Sequence, residues 1–412
     1  MSKRIFLTLI FLIAGIAVGQ ANWQNLFITK TQVQEKTYYK AFSTPNPVKI
    51  HEAFTKNTDA CASCHTPHTA QGAKLLLEAT VFHTCSHCHD GSLGIIAPDV
   101  IHGRIGLEQI AAGGLFTDFP QSGEKCLSTH DPEGAVLITA APGNNFNFPP
   151  EVNEIPAMTC ASCHNPHSHG ENYRMLSEDP GKVKLLTSVG QEISLEKLTK
   201  ITEGEYKFTQ SAIKYYPYSL YLVVVEDDAI PGVKAKISNI GKKAEIRGGQ
   251  ELSSQDYFIN PDTSVVKVYR QVERDLYILY FPALRVTAAV NSDGSTSYLK
   301  GFNEFCGTCH AKYLIKAKNP EGVTPGHLIG FEFDDQKPKG LVLGKTSSGE
   351  EKEVLCLTCH VAHGVNEEWW QEWAEKSGWG SREEVGSPGE LAGRSALKRL
   401  PNMASCEACH EF

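Results

Sequence analysis

Paired cysteines followed by histidine are the residues of this chain with the clearest chemistry. The chain has 13 cysteines; twelve stand in pairs three residues apart, and each pair is followed at once by a histidine. Residues i, i+3 and i+4 of a helical turn share one face. Two thiols on that face can form thioethers with one porphyrin while the histidine reaches its iron, so the spacing predicts covalent haem c. The six groups are Cys61, Cys64 and His65; Cys85, Cys88 and His89; Cys160, Cys163 and His164; Cys306, Cys309 and His310; Cys356, Cys359 and His360; and Cys406, Cys409 and His410.

A disulfide framework and structural zinc are the competing interpretations of these cysteines. Exported domains often carry disulfides, and zinc ribbons use Cys-x-x-Cys pairs. Neither alternative explains why a histidine follows all six pairs. We therefore predict six covalent haem c groups as the cofactors.

Histidine is the expected ligand on the opposite face of each iron. The chain has 16 histidines, so ten (16 − 6) remain after the six motifs, whereas it has only four methionines including Met1. Three methionines cannot serve six irons. Ligation by two histidines lowers the reduction potential relative to histidine and methionine, so we expect a chain of low-potential haems.

Three motifs continue to a second histidine three residues on, at His68, His167 and His363. Axial ligands stand on opposite sides of one iron, each about 2 Å away, so two histidines this close in sequence cannot serve the same haem. Each second histidine is therefore predicted to bind a different haem from its neighbour. Pro67 and Pro166 disfavour continuation of the helix. A short peptide would then hold two haems in near contact, as fast electron transfer requires.

The remaining histidines differ in how well their positions suit a distal ligand. His51 precedes the first motif, His102 follows the second, and His327 lies in a turn-like segment, and these three are predicted distal ligands. His130 is a further candidate. Three others, which crowd existing motifs, are expected to be exposed or outside the coordination sphere: His83, His87 and His169.

Cys126 is the unpaired cysteine, in a sequence where threonine replaces the second cysteine of a haem motif before His130. Three interpretations compete: a degenerate haem site, a free thiol, and a seventh haem held by one thioether. We favour a free or buried thiol beside a ligand.

The beginning of the chain resembles a secretory signal. Lys3 and Arg4 precede a short apolar segment, and small residues follow, which predicts a signal peptide over residues 1–21. No later segment is apolar enough to span a bilayer. We expect a secreted protein, located from the periplasm to the cell surface. The net charge of −8 argues against a nucleic-acid partner.

The haem motifs cluster towards the two ends of the chain. Residues 22–170 and 301–412 carry three motifs each, while residues 171–300 have neither cysteine nor histidine. Within that middle segment, residues 218–227, 265–270 and 275–281 are β-branched and aromatic runs separated by turn signals. The predicted fold class is a mostly irregular multihaem cytochrome c fold, with short helices around a haem chain and a β-rich haem-free insertion.

One longer helix is predicted in the last segment. Asn366 is a suitable N-cap, acidic residues follow it, and Gly378 marks the end. Trp369, Trp370 and Trp373 form its apolar side. We expect that side to pack on a haem or on a neighbouring subunit.

The order of these motifs resembles the OmcS-type hexahaem outer-surface cytochromes, which polymerise into conductive filaments. The likeness rests on CASCHTPH at 61–68 preceded by a histidine, CASCHNPH at 160–167, the Pro- and Gly-containing turn with His327, CLTCHVAHG at 356–364 and the terminal CEACHEF. SGEKCLSTH at 122–130 is similar to a region where that family places a distal histidine, which favours His130. Cys126 and the β-rich segment depart from the family pattern.

The resemblance implies two histidine ligands on every iron and a chain of haems along the subunit. It also implies that His68 completes an iron of the next subunit, so that a head-to-tail homopolymer forms through coordination. The expected function is long-range extracellular electron transfer between redox donors and acceptors. A soluble periplasmic carrier and a nitrite, hydroxylamine or metal reductase are the alternatives. A reductase usually needs one open iron position, whereas the ten remaining histidines outnumber the six haems.

Overall fold

Short helices carry all six haem motifs. The computed structural model describes residues 51, 59–94, 97–105, 109–116, 128–167, 172–208, 223–227, 234–236, 245–247, 249–253, 255–260, 263–279, 284–291, 296–314, 329–333, 338–380, 397–401 and 404–410. The motif helices are Asp59–Ala62, Val81–His89, Cys160–Cys163, Phe302–Cys309, Cys356–Cys359 and Ala404–Glu407. Two further α-helices are Val183–Ser188 and Glu367–Ser377. The 3-10 helices are Ala73–Leu75, Ile138–Ala140, Tyr173–Met175, Pro180–Lys182 and Ala311–Leu314.

The described strands form small sheets, and three of these sheets lie in the predicted β-rich segment. One has the strand order Gln250–Glu251, Val223–Asp227, Asp275–Leu279 and Glu196–Lys197. The second has the order Glu245–Arg247, Lys234–Lys236 and Glu192–Ser194. The third has the order Tyr257–Asn260, Val265–Val268, Glu205–Lys207 and Thr199–Thr202. All neighbours in these sheets are antiparallel. Three pairs join strands that follow one another along the chain, as in hairpins, whereas the others join strands that are distant in sequence.

Among the other described sheets, one joins the two haem-bearing segments to each other and one joins the middle segment to the C-terminal one. One, ordered Thr287–Val290, Thr296–Lys300, Gly344–Lys345 and Glu351–Glu353, crosses the predicted boundary at residue 300. The two-stranded sheets pair Arg104–Ile105 with Gln109–Ile110, Ser128–Thr129 with Gly364–Val365, and Glu133–Leu137 with Ala157–Thr159. Within the described part of the chain, no helix has the length and apolar character needed to cross a bilayer.

The backbone after the first, third and fifth motifs repeats one pattern of hydrogen bonds. The residue after each motif histidine donates its backbone N–H to a carbonyl about ten residues or more further along the chain. Two residues after that carbonyl, a backbone N–H donates to the carbonyl of the motif's second cysteine. The first bonds are Thr66 to Leu75 (2.8 Å), Asn165 to Met175 (2.7 Å) and Val361 to Leu397 (2.8 Å). The returning bonds are Leu77 to Cys64 (2.8 Å), Ser177 to Cys163 (2.7 Å) and Arg399 to Cys359 (2.7 Å).

A left-handed residue occupies the same place in all three of these loops. Leu75, Met175 and Leu397 have φ of 61°, 55° and 58°, a conformation that residues other than glycine adopt infrequently. Together with the hydrogen bonds, this indicates three copies of one unit, each holding two motifs. In the first and third units the second motif follows the loop closely, whereas the β-rich segment separates the two motifs of the middle unit.

The β-rich segment has an apolar core of its own. Nine buried side chains, all between residues 198 and 278, form this cluster: Leu198, Tyr206, Phe208, Leu252, Ile259, Val266, Val268, Leu276 and Ile278. Alternate residues of Val265–Val268 face inwards and outwards, as a half-exposed strand requires.

The tryptophan-bearing helix begins and ends at the predicted residues. The Asn366 side chain accepts the N–H of Trp369 at 2.8 Å, and Gly378 closes the helix with φ 70°. The expectation that the tryptophans pack on a haem or another subunit was wrong: all three are buried in a cluster of the chain's own apolar side chains. Their indole N–H groups bond the carbonyls of Ala111, Lys398 and Gly340.

Candidate haem sites

Each proximal histidine is held by its own motif. Apart from His89, which ends a longer helix, these histidines donate their backbone N–H to the carbonyl of the first cysteine of the motif, closing one helical turn. The bonds are His65 to Cys61 (2.9 Å), His164 to Cys160 (2.9 Å), His310 to Cys306 (3.0 Å), His360 to Cys356 (3.0 Å) and His410 to Cys406 (2.9 Å). The turn therefore presents two thiols and an imidazole together. All twelve motif cysteines are free of disulfide bonds.

A backbone carbonyl sets the orientation of several of these imidazoles. A carbonyl oxygen only accepts, so a histidine Nδ1 that bonds one must carry the hydrogen, and its Nε2 is left with the lone pair that binds a metal. The Nδ1 bonds are His65 to Lys74 (2.9 Å), His89 to Pro98 (2.9 Å), His164 to Arg174 (2.9 Å) and His310 to Pro142 (2.7 Å). These rings are prepared for coordination through Nε2.

Four proximal histidines face a second histidine at a distance that suits one iron between them. An imidazole nitrogen lies about 2.0 Å from a bound metal and about 1.1 Å from its ring centre, so two axial rings have centres about 6.2 Å apart. The observed ring-centre distances are 6.2 Å for His65 and His167, 6.3 Å for His89 and His51, 6.4 Å for His164 and His363, and 6.1 Å for His310 and His130. The residues present therefore fit four haems with two histidine ligands each.

The second histidine of a motif reaches the proximal histidine of another motif. His167 lies against His65 rather than His164, and His363 lies against His164 rather than His360. The short peptide from His164 to His167 thus contributes to two sites. This arrangement follows the geometric argument from spacing, although spacing alone did not indicate which motif each histidine would reach.

Burial keeps the distal histidines neutral, as metal ligands must be. Burial, together with neighbouring His89, lowers the pKa of His51 to about 4. Burial, with the nearby His164 and Arg174, lowers the pKa of His363 to about 3. Burial also lowers the pKa of His130, although a hydrogen bond to the Ala362 carbonyl opposes it.

His130 is positioned by the peptide that follows the fifth motif. Its Nδ1 donates to the Ala362 carbonyl at 2.8 Å, and its backbone N–H donates to the carbonyl of His363, also at 2.8 Å. The pairing of Ser128–Thr129 with Gly364–Val365 continues this contact. Sequence reasoning had no signal for this pairing, because the two strands are short and far apart along the chain.

Consecutive motifs are neighbours in space. The Cys85 and Cys160 thiols share a hydrogen bond that raises the pKa of Cys160, and Cys306 and Cys356 share another that raises the pKa of Cys306. Burial, with the second motif's thiols nearby, raises the pKa of Cys64.

The later motifs continue this series. Burial, with Cys163 nearby, raises the pKa of Cys309 to about 12. Burial, with Cys409 and Cys406 nearby, raises the pKa of Cys359 to about 11. The six motifs therefore succeed one another in space in the order of the chain.

Two predicted distal ligands are not brought against a proximal histidine among the described residues. His68 lies exposed just after the first motif. His102 is exposed as well, and its Nδ1 donates to the Asp99 carboxylate at 2.8 Å. His327, Cys126, His169 and the predicted signal peptide lie outside the described residues.

The histidines expected to be non-ligands have other neighbours. The His83 ring contacts the Thr80 hydroxyl at 2.8 Å, and the Nδ1 of His87 lies 3.3 Å from a carboxylate oxygen of Glu78. Both side chains are exposed. These contacts are ordinary surface contacts.

Comparison with known families identifies part of this arrangement. A family model described as the doubled CXXCH motif matches residues 51–93, which include His51 and the first two motifs. The match indicates a multihaem c-type cytochrome. Motifs of this kind indicate covalent attachment of haem c. No curated protein and no solved structure matches the chain.

The second and third two-motif units lie outside the matched residues. In the first unit the cysteines of the two motifs are close together along the chain, whereas long segments divide the motifs of the other units. The repeated hydrogen bonds after the third and fifth motifs relate those units to the matched one. Backbone geometry therefore reveals a likeness that the spacing of the residues conceals.

Proposed function

We propose that this chain is a hexahaem electron-transfer protein that polymerises head to tail. The observation that carries the proposal is the set of four histidine pairs with ring centres 6.1–6.4 Å apart. Haem c supplies an iron that alternates between ferric and ferrous states. The chain's own residues hold it through two thioethers and two imidazoles.

Ligation by two histidines favours electron transfer over a reductase. A catalytic iron keeps one position open for its substrate. In the four paired sites, histidines are available for both axial positions: one from the motif and one from a distant segment. The remaining histidines extend the same pattern, so no motif requires an open position.

The repeated unit suggests the partner of the sixth motif. His51 and His130 stand before the first motif of their units and face the second motif's histidine, His89 or His310. In the third unit, His327 stands before the fifth motif in the same way. We assign His327 to His410 on this order, although His327 lies outside the described residues.

The same repeat suggests how subunits connect. His167, from the second unit, faces His65 of the first, and His363, from the third unit, faces His164 of the second. Continuing the series, His360 receives its distal ligand from the first unit of another copy. The residue at that position is His68, which is exposed. A head-to-tail contact of this kind continues as a filament when the rotation between successive copies does not close a ring.

The proposed location follows from the beginning of the chain. Residues 1–21 have the pattern of a secretory signal, and covalent haem attachment is compatible with an exported protein. We propose that the filament carries electrons outside the cell between a redox donor and a terminal acceptor. Discrete soluble carriers in the periplasm are the alternative outcome.

His68→Ala tests both haem binding and polymerisation. Haem absorbance per chain should remain at six equivalents, because His68 belongs to no motif. Electron microscopy should show monomers, since the fifth iron of each copy loses its ligand from the next. The ferric spectrum should gain a high-spin component from about one haem in six.

His83→Ala is the matched control, because His83 is another exposed histidine close to the haem motifs. It should leave filaments and spectra unchanged. Filaments of normal length in His68→Ala would overturn ligation between subunits. Loss of all haem from the wild-type protein would instead overturn the proposed function as a whole.

A further inference from the structure

Arg399 is a fully buried cation beneath the fifth motif. Its side chain has 0 % exposure, and its guanidinium donates to backbone carbonyls and is hydrogen-bonded to the Tyr298 phenol. Nε and Nη2 bond the Leu357 carbonyl at 3.2 and 2.8 Å, and Nη2 also bonds the His360 carbonyl at 3.1 Å. Nη1 bonds the Ala112 carbonyl at 3.0 Å. Two of the three carbonyls that it binds therefore belong to the motif itself.

No carboxylate accompanies this charge among the described residues. The Trp373 ring lies 4.7 Å from the guanidinium carbon, and the Tyr298 phenol and Cys359 are further neighbours. Burial raises the pKa of Tyr298, so the phenol is neutral, and Cys359 carries no charge once it is joined to haem by a thioether. Arginine stays protonated in proteins. Neutral carbonyls satisfy the donors without cancelling the unit charge.

The equivalent positions of the other two units carry no charge. Leu77 and Ser177 make the same backbone hydrogen bond to the second cysteine of their motifs as Arg399 makes to Cys359. The third motif has a positive charge of its own, because Arg174 lies near His164 and His363. The comparison that isolates the buried charge of Arg399 is therefore the one between the fifth motif and the first.

We infer that Arg399 raises the reduction potential of the haem held by Cys356, Cys359 and His360 above that of the first motif. Reduction adds one electron and lowers the positive charge at the iron by one, so a nearby cation favours the ferrous state. The low dielectric around a buried charge strengthens this effect. The inference rests on the proposed haem binding.

This difference determines which motif an electron favours within each copy. The fifth motif stands towards one end of the series, next to the sixth and, in the proposed filament, next to the following copy. An electron within one copy then favours the fifth motif over the first, while the repetition of the same potentials in every copy leaves the filament without a net direction. Arg399 contributes this bias without contacting an electron donor or acceptor.

Spectroelectrochemical titration of Arg399→Gln and Arg399→Lys tests the inference, with dithionite as reductant. Haem content is measured first and should be six equivalents per chain. In Arg399→Gln one haem should become harder to reduce. The equilibrium constant for its reduction should fall at least tenfold, which lowers its reduction potential by about 59 mV for a one-electron couple. Arg399→Lys retains the charge and should titrate like the wild type.

Leu77→Arg provides a second test that does not disturb the buried site. Leu77 is half-buried, so water screens the new charge partly. The equilibrium constant for reduction of one haem should therefore rise only about threefold. If Arg399→Gln is recovered without six haems, the Leu77→Arg variant provides the test instead. A reduction titration of Leu77→Arg that matches the wild type then overturns the inference.

Two outcomes of the Arg399 variants would also overturn it. One is an unchanged titration of Arg399→Gln with six haems bound. The other is an equal shift in the Gln and Lys variants, which would indicate a structural role rather than a charge effect. Wild-type protein without haem would overturn the proposed function and this inference with it, whereas an unchanged titration of haem-loaded Arg399→Gln would overturn this inference alone.

Discussion

The first attachment loop and the β-rich segment are stabilised in different ways. Residues 61–80 contain no buried side chain, whereas nine apolar side chains between residues 198 and 278 form a buried core. The loop is ordered by backbone hydrogen bonds and by the Nδ1 bond of His65. Its apolar partner is therefore expected to be the porphyrin, while the β-rich segment needs no cofactor to bury its surface.

Removing haem should produce the largest difference between the two regions, in the protection of their amides from hydrogen exchange. In protein produced without haem attachment, we expect amides of residues 61–80 to exchange hydrogen almost as fast as in an unfolded chain. Amides of the strands between 198 and 278 should stay protected, because their core lies within the segment. Hydrogen-exchange mass spectrometry of the haem-free and haem-loaded forms measures this difference. Equal protection of the two regions in the haem-free form would contradict the comparison.

A cavity in the β-rich core should act on that region alone. Leu276 is 1 % exposed, and Leu276→Ala should lower the free energy of unfolding of the segment by about 2–5 kcal/mol. Haem content and the reduction titration should not change, because the core contains no motif residue. Phe258→Ala removes a side chain that is 55 % exposed and is the matched control, with a change below about 0.5 kcal/mol. Altered haem potentials in Leu276→Ala would show that the two regions are coupled.

The carboxylate of Asp179, near the start of the middle segment, should make stability depend on pH. It accepts the N–H groups of Lys184 and Leu185 at 3.0 and 3.1 Å, and burial raises its pKa from 3.8 to about 6. A raised carboxyl pKa favours the folded state below the unfolded pKa, and this contribution is lost as pH rises through 6.

Asp179→Asn removes this titration and retains one acceptor. Its stability relative to wild type should therefore increase between pH 4 and pH 8, by at most about 3 kcal/mol. Denaturant unfolding of both proteins at the two pH values measures the difference. A stability difference that is the same at both pH values would exclude the effect.

Local sequence patterns predicted the local structures well. The six motifs lie on helical turns, and the helix from Glu367 to Ser377 has its predicted cap and end, since both depend on residues only a few positions apart. Within the runs predicted at 218–227, 265–270 and 275–281, residues 223–227, 265–268 and 275–279 form strands for the same reason. The packing of the tryptophans was predicted wrongly, because a helix pattern identifies an apolar face but not what covers it.

The sequence by itself determined which residues can fasten haem and that two histidines three residues apart cannot share one iron. Only the tertiary structure decided that His167 faces His65, that His363 faces His164 and that Arg399 is buried beneath the fifth motif. Thioether attachment depends on spacing within one helical turn, which the sequence contains. Ligand pairing and burial depend on contacts between distant segments, which form only when the whole chain packs together.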